Sequence, residues 1–384
     1  MIENVTLNWP KYIEFGAGKI SKLKEHLEGS DKIFILCDPP LKNQLNSFLR
    51  ELERGKKLFI STEVIPEPPI NSLKKLLEPV KDFNPDAVVG IGGGSAMDLA
   101  KLVAVLFTGE QRVEDIIGIG NIKKREVKLI TVSTTSGTGS EVTPIAVLTD
   151  LEAKLKKGVV STHIVPDVAI VDPELTLSVP KEVTAATGMD AMTHCIEAYT
   201  NRHSHPIIDN IALEGIRLLA GNIETAVKNG NDIESRTAMA LGSLYGGLCL
   251  GPVNTAAVHA LAYPLGGTFK ISHGVANSVL LPFVMSFNLP NCIEKYANIA
   301  KVIGIPFSDT MREVAKNGIL KIRAISERCG IPSSIRELGI PENAIDEMSE
   351  AAMKVTRLLA NNPREIGLKD AEMIYKNAFN GIVE

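Results

Sequence analysis

The sequence lacks the features that mark several protein classes. Its five cysteines are scattered and form no C-x-x-C pair, which excludes a disulfide framework and a zinc ribbon. No run approaches the roughly eighteen apolar residues that cross a bilayer, and the first four residues do not resemble the start of a secretory leader. No basic block accompanies the net charge of -4, so neither nucleic acid nor an anionic membrane is expected as a partner. We expect a cytoplasmic protein.

The composition is that of an ordinary globular protein. Of the 384 residues, 45% are hydrophobic and 22% are charged, which is enough to bury a substantial core. The chain is longer than the size at which single cores stop growing, so two domains are expected. We place the boundary near Pro180, which gives domains of 1–180 and 181–384.

The two predicted domains differ in their patterning. Before Pro180, short apolar runs that predict strands, such as 32–37 and 58–65, alternate with segments whose apolar residues have helical spacing. Further strands are predicted at 145–148, 158–161 and 168–171. This pattern predicts an α/β domain with an open, doubly wound sheet. After Pro180 nine helical segments follow one another with Gly, Pro or Asn breaks. The carboxyl-terminal domain is therefore predicted to be all-α.

A glycine turn gives the first functional signal. The buried strand after Asp86 runs into Gly92-Gly93-Gly94-Ser95, and a helix pattern that includes Asp98 follows. Glycines at such a turn let a pyrophosphate approach the backbone, and the helix start offers free N–H groups and a positive dipole end. A tight turn that only packs the strand against the helix remains the alternative.

A second turn of this kind follows the strand that starts at Lys128. It contains small hydroxyl residues and glycines, in the order Thr134-Thr135-Ser136-Gly137-Thr138-Gly139-Ser140-Glu141. Two such turns at the ends of parallel strands favour a nucleotide lying across the sheet. Neither turn spells G-x-G-x-x-G, and the acidic residue suited to a ribose, Asp38, precedes the glycines. A nucleotide domain of unusual connectivity is therefore expected.

The second signal is a set of candidate metal ligands in the helical half. Asp190 and His194 are four residues apart in a helical pattern, so their side chains leave the same helix face. His259 and His273 lie in a second, mostly apolar stretch, where an imidazole needs a hydrogen-bond partner or a metal. One carboxylate and three imidazoles suit Fe(II) or Zn(II). An Asp–His pair on a half-buried helix, without metal, is the alternative reading of the first two residues.

Together these motifs resemble the iron-containing (group III) alcohol dehydrogenases of the dehydroquinate synthase-like superfamily. The resemblance runs from Asp38 through both glycine turns, the segment 185–191 and the stretch from His259 to Pro282. It implies a dehydroquinate synthase-like fold with an α/β nucleotide-binding domain, an all-helical domain for metal and substrate, and a cleft between them. It also implies NAD rather than NADP, Fe2+ with Zn2+ as the alternative, a small alcohol or aldehyde substrate, and a homo-oligomer, expected to be a dimer.

The resemblance also implies roles for individual residues. The expected metal ligands are Asp190, His194, His259 and His273. These four residues and Tyr263 are the expected catalytic residues. The expected cofactor contacts are Asp38, Gly92, Gly93, Gly94, Ser95, Asp98, Thr134, Thr135, Thr138, Ser140 and Lys156. The implied reaction is reversible oxidation of an alcohol, with the metal lowering the pKa of the hydroxyl while hydride passes to the nicotinamide.

Several positions depart from the family pattern. Glu67 stands where many members carry Asn, Ile145 replaces a polar residue of some relatives, and Tyr263 replaces a further histidine. A phenol is a poorer proton shuttle than an imidazole but a good hydrogen-bond donor. Lys270, in the loop expected after Gly267, could favour an anionic substrate, so an ω-hydroxy acid or semialdehyde dehydrogenase is one alternative. A metal- and NAD-dependent lyase of the same superfamily is the other.

Overall fold

A computed structural model describes residues 4–152, 155–308 and 310–383. The chain divides into two compact units. The sheet unit comprises Leu7–Thr135 and Gly139–Thr176, and the helical unit comprises residues 4–6, Ser136–Thr138 and 177–383. The outer limits expected for the domains, at residues 1–3 and 384, lie outside the described residues.

The sheet unit is built on parallel strands. Its strands, among the described residues, are β1 (Tyr12–Phe15), β2 (Lys32–Cys37), β3 (Lys57–Ser61), β4 (Ala87–Gly92), β5 (Gly118–Ile119), β6 (Lys128–Ser133), β7 (Ile145–Asp150), β8 (Leu155–Val160) and β9 (Val168–Val171). Six of them form a parallel sheet in the order β1-β9-β6-β4-β2-β3. The other three form a small mixed sheet, β5-β8-β7. The parallel sheet confirms the predicted α/β class.

Helices cover both faces of the large sheet. They are α1 (Leu23–His26), α2 (Pro39–Gln44), α3 (Asn46–Glu53), α4 (Ile70–Phe83) and α5 (Gly94–Leu106). Successive residues of β2 point to opposite faces, so Phe34 and Leu36 join one apolar core and Ile33 and Ile35 the other. Because both faces are buried, the strands are continuous apolar runs, which is why the sequence revealed them.

The helical unit has no strand among its described residues. Its helices are α6 (Lys181–Thr200), α7 (Pro206–Lys228), α8 (Ile233–Val253), α9 (Ala257–Phe269), α10 (His273–Val302), α11 (Met311–Arg328), α12 (Ile345–Met353), α13 (Thr356–Leu359) and α14 (Leu368–Asn380). This confirms the predicted all-α half. None of the helices in the described residues is long and apolar enough to cross a membrane.

Close packing of α10 on α6 depends on one glycine. A Cβ at Gly274 would lie 2.5 Å from the carbonyl oxygen of Ala186, nearer than any real Cβ approaches a backbone atom. Because Gly274 follows His273 and Ala186 precedes Asp190 by one helical turn, this contact brings the first turn of α10 beside the middle of α6.

Several predicted boundaries of helices and strands are wrong. The helix expected from residue 252 begins at Ala257, because Asn254 takes a left-handed φ of 64° after α8. Gly266 and Gly267 lie inside α9, so Lys270 is not in a loop beyond them but is the C-cap of that helix, with φ 56°. The strand expected to reach Ile65 ends at Ser61. The break expected after residue 287 is only a kink at Cys292 within α10.

The packing of α5 on the sheet predicts the effect of one added methyl group. A Cβ at Gly90 in β4 would lie 2.7 Å from the Cβ of Ala100 and 3.3 Å from the Cα of Met97. Because neither atom can move without shifting α5, Gly90→Ala should lower the free energy of unfolding by about 1–3 kcal/mol. Urea denaturation measures this. Gly55→Ala is the control, since nothing lies within 4 Å of its Cβ position; equal midpoints for the two variants would contradict the prediction.

Candidate metal centre and nucleotide-binding turns

Three helices of the helical unit supply the candidate metal ligands. Asp190 and His194 lie one turn apart in α6, His259 lies in the first turn of α9, and His273 is the first residue of α10. One ligand atom from each of these four residues lies within 4.8 Å of the others. The structure thus brings together all four residues that the sequence singled out, and we refer to them as the ligand cluster.

The distances within the ligand cluster lie around, and mostly somewhat above, those between ligands of one ion. The Oδ1 atom of Asp190 lies 3.9, 3.7 and 3.8 Å from the Nε2 atoms of His194, His259 and His273, respectively. The Nε2 atoms of His194 and His259 are 3.0 Å apart. Ligands at 2.0–2.1 Å around a tetrahedral ion are separated by about 3.3 Å.

Burial and charge set the protonation of the ligand cluster. Burial alone would raise the pKa of Asp190, but the three histidines and Asn277 outweigh it and hold that pKa below its usual value. Burial, together with His194 and His273, lowers the pKa of His259 well below its usual value. The carboxylate is therefore ionised and the His259 imidazole neutral, which are the forms that bind metals. The side chain of His273 is 32% exposed, which leaves the cluster accessible.

Hydrogen bonds orient the imidazole rings. The Nδ1 atom of His194 lies 3.3 Å from the carbonyl oxygen of Gly137, and that of His259 lies 2.6 Å from a carboxylate oxygen of Glu197. Because both partners are acceptors, each Nδ1 is the donor, and in the neutral ring the lone pair of Nε2 faces the other ligands. The Nδ2 group of Asn277 donates to Asp190 at 2.7 Å.

Glu197 and Asn277 are two further residues of the site that were not predicted from the sequence. Each lies on a ligand-bearing helix, three residues after His194 and four after His273, and both are buried. For Glu197 the sequence offers only a glutamate one turn from a candidate ligand, and it does not place residues 256–259 beside that glutamate. Burial raises the pKa of Glu197 to about 7, an effect that the N–H groups of Ala256 and Val258 oppose.

Tyr263 lies one turn after His259 in α9. Burial raises the pKa of its phenol; the positive charge of Arg357 opposes this rise, and the carboxylate of Glu197 adds to it. The Nη1 atom of Arg357 is buried without a hydrogen-bond partner among the described residues. Lys270, in contrast, is exposed to solvent.

The first glycine turn of the sheet unit brings five of the expected cofactor residues together. The Oδ2 atom of Asp38 accepts the N–H of Gly93 at 2.8 Å, and Thr134 donates its N–H to the carbonyl oxygen of Gly92. Gly92 has a φ of 155°, and a Cβ there would lie 2.4 Å from Oδ2 of Asp38. Only glycine fits this approach. The Cβ position of Gly93 is 3.5 Å from Oγ1 of Thr135.

A chain of contacts joins the start of α5 to Lys156. Ser95 accepts the N–H of Glu67 on its Oγ at 3.1 Å, and the Glu67 carboxylate pairs with Nζ of Lys156 at 2.8 Å. Gly94 and Ser95 are the first two residues of α5, where helix N–H groups are free. Glu67, which stands where many family members carry Asn, thus forms an ion pair with the lysine expected to contact the cofactor.

Asp98 and Ser140 hold the second turn in place. Ser140 donates its hydroxyl to Asp98 at 2.6 Å, and Asp98 also accepts the N–H of Val147. The buried Lys101 donates to Ser140, Thr143 and the carbonyl of Ile145. Thr138, another expected cofactor contact, belongs to the segment that groups with the helical unit.

Two family models together match most of the chain. Residues 10–173 match the model described as iron-containing alcohol dehydrogenase. Residues 184–379 match the model of the carboxyl-terminal part of the Fe-containing alcohol dehydrogenase family.

Individual proteins match over nearly their whole length. Long-chain-alcohol dehydrogenase 1 of Geobacillus thermodenitrificans is 39% identical, over 98% of this chain and 97% of its own. The crystal structure of a 1,3-propanediol oxidoreductase superposes with a TM-score of 0.94 at 34% identity, covering 98% of this chain and all of its own. A sulfoacetaldehyde reductase from Bifidobacterium kashiwanohense, solved in complex with NAD+, gives 0.88 at 28% identity, over 98% and 99% of the two chains.

Proposed function

Because the chain belongs to the iron-containing alcohol dehydrogenase family and is an oxidoreductase acting on alcohols, we propose that it transfers a hydride between NAD and a small alcohol or aldehyde at one divalent ion held by the ligand cluster. The single observation that carries this proposal is the convergence of Asp190 and three histidines within 4.8 Å.

The contact between two of the imidazoles supports a bound cation. With both Nδ1 atoms donating, the Nε2 atoms of His194 and His259 direct lone pairs at each other across 3.0 Å. Only a proton or a metal ion between them makes this contact favourable. The adjacent buried carboxylate of Asp190 favours the positive charge.

The ligand cluster and the neighbouring Tyr263 then have distinct chemical roles. A divalent ion held there would supply a Lewis acid that lowers the pKa of an alcohol hydroxyl. Asp190 and the three histidines hold it, and the Tyr263 phenol, one turn from His259, donates a hydrogen bond to the substrate oxygen. Imidazole and carboxylate ligands suit both iron and zinc; the family name favours Fe2+, with Zn2+ as the alternative.

The cofactor assignment rests on the sheet unit. Asp38 presents a carboxylate beside the glycine turn, where a ribose hydroxyl would donate to it but the 2′-phosphate of NADP would meet like charge. The N-terminus of α5, with Gly94 and Ser95, suits the pyrophosphate. The NAD+ complex of the sulfoacetaldehyde reductase supports the same cofactor here.

The expected location and partners remain proposals drawn from the composition of the sequence, and the expected assembly remains a proposal drawn from the family resemblance. The chain would act in the cytoplasm as a homodimer, with neither a nucleic acid nor a membrane as partner. The five cysteines, all buried and unpaired, suit a reducing compartment.

A second candidate function is the reduction of a semialdehyde, and Arg357 favours it. Its Nη1 atom is buried without a hydrogen-bond partner among the described residues, and its charge acts on the Tyr263 phenol, so a carboxylate of the substrate would satisfy it. Lys270, which the sequence suggests for this role, is exposed at the end of α9. The anionic aldehyde named for one structural relative supports testing this possibility.

Replacing His259 tests the metal assignment. His259→Ala should lose the bound ion and nearly all turnover but keep NAD affinity, because the glycine turns belong to the other unit. Metal content by elemental analysis and NAD binding by calorimetry measure this. His203→Ala, which removes an exposed imidazole, is the control. One retained metal equivalent in His259→Ala would refute the assignment.

Replacing Asp38 tests the cofactor preference. Asp38→Gly should raise the kcat/KM ratio of NADP to NAD, because the repelling carboxylate is gone. It also loses the acceptor for Gly93, so Asp38→Asn, which keeps a carbonyl oxygen there, isolates the effect of charge. An unchanged ratio in both variants would show that Asp38 does not select the cofactor.

Replacing Arg357 tests the semialdehyde candidate. If it binds a substrate carboxylate, kcat/KM for succinic semialdehyde should exceed that for butyraldehyde, and Arg357→Met should reduce this preference about tenfold to hundredfold. Lys270→Met is the matched control and should leave the preference unchanged. Equal kcat/KM values for the two aldehydes in the wild type would refute the semialdehyde candidate and would indicate an apolar substrate pocket.

A further inference from the structure

The carboxylate of Glu197 is buried. The residue is 4% exposed and lies in α6, three residues after His194. A buried glutamate is costly unless its oxygens accept hydrogen bonds. Here three donors, all from the start of α9, approach the two oxygens.

The three donors fix the carboxylate in one orientation. Oε1 accepts the N–H of Val258 at 2.6 Å, and Oε2 accepts the N–H of Ala256 at 3.0 Å. Oε2 also accepts from Nδ1 of His259 at 2.6 Å. The two backbone groups hold the carboxylate, and the carboxylate then holds the imidazole.

We infer that Glu197 is a positioning residue of the metal centre, which fixes the tautomer and ring angle of His259 so that the lone pair of Nε2 faces the other three ligands. This rests on the proposed metal site. A carboxylate behind a ligating imidazole fixes the ring and makes it a stronger donor to the metal. Because Glu197 and His194 share one helix, α6 carries two ligands of the cluster and the support for a third.

A purely structural role is the competing explanation. Glu197 accepts two N–H groups at the first turn of α9, as a helix cap does, so its loss would destabilise that helix wherever the metal binds. A matched control exists in Tyr375, whose buried hydroxyl donates to the carbonyl of Leu261 in the same helix at 2.6 Å. Tyr375→Phe removes a buried hydrogen bond from α9 without touching a ligand.

The experiment compares metal release from full-length wild type, Glu197→Gln and Tyr375→Phe, each loaded with Co2+. The readouts are the visible spectrum of the bound Co2+, its dissociation rate into excess EDTA, and the urea midpoint of each protein. Glu197→Gln should release Co2+ about tenfold to hundredfold faster with an altered spectrum. Tyr375→Phe should lose stability but release Co2+ within about twofold of wild type. Glu197→Asp should restore part of the loss.

Two outcomes would overturn the inference. One is wild-type release from Glu197→Gln; the other is equally fast release from Tyr375→Phe at a similar loss of stability. If wild type itself binds no Co2+ at the cluster, the proposed function fails instead. If Glu197→Gln does not fold, 15N spectra of histidine-labelled, Zn2+-loaded wild type decide: a protonated Nδ1 and a metal-bound Nε2 on His259 support the inference, and the reverse pattern refutes it.

Discussion

The structure of the helical unit depends on one constraint, the convergence of a buried carboxylate and three imidazoles on a point. Asp190, His194 and His259 are nearly inaccessible to solvent, and two ring nitrogens approach within 3.0 Å. Such an arrangement is unfavourable without a positive charge at its centre. The close contact of Gly274 with Ala186 and the acceptors behind the two imidazoles maintain this geometry.

The sheet unit meets a different requirement, which is to bring a backbone close to phosphates. Gly92 leaves room for Asp38, and Asp38 in turn holds the N–H of Gly93, so a residue suited to a ribose also shapes the glycine turn. Asp98, Ser140 and Lys101 tie the second turn to α5. Asp38, Asp98 and Ser140, which were expected to contact the cofactor, therefore also stabilise the conformation of the two turns.

Much of this could be predicted from the sequence, because the signals were local. The strands are apolar runs buried on both faces, and Asp190 and His194 share a helix face by their spacing alone. His259 and His273 were candidates because an imidazole in an apolar stretch needs a partner. The resemblance to the iron-containing alcohol dehydrogenases, confirmed by the family match, implied the same four ligands. Glu197 could not be identified, because its partners at 256–259 are about sixty residues away in sequence. The predicted position of Lys270 is wrong because two successive glycines are typical of a break, whereas α9 continues through Gly266 and Gly267 to Phe269.

The central claim is that one ion binds the ligand cluster. Anomalous diffraction from crystals grown with Fe2+ under anaerobic conditions, or with Zn2+, tests it most directly. If the ligand cluster binds one ion, a single strong peak should lie within about 2.0–2.2 Å of the ligand atoms of Asp190, His194, His259 and His273. A peak bound by other residues, or an empty cluster in crystals of metal-loaded protein, would contradict it.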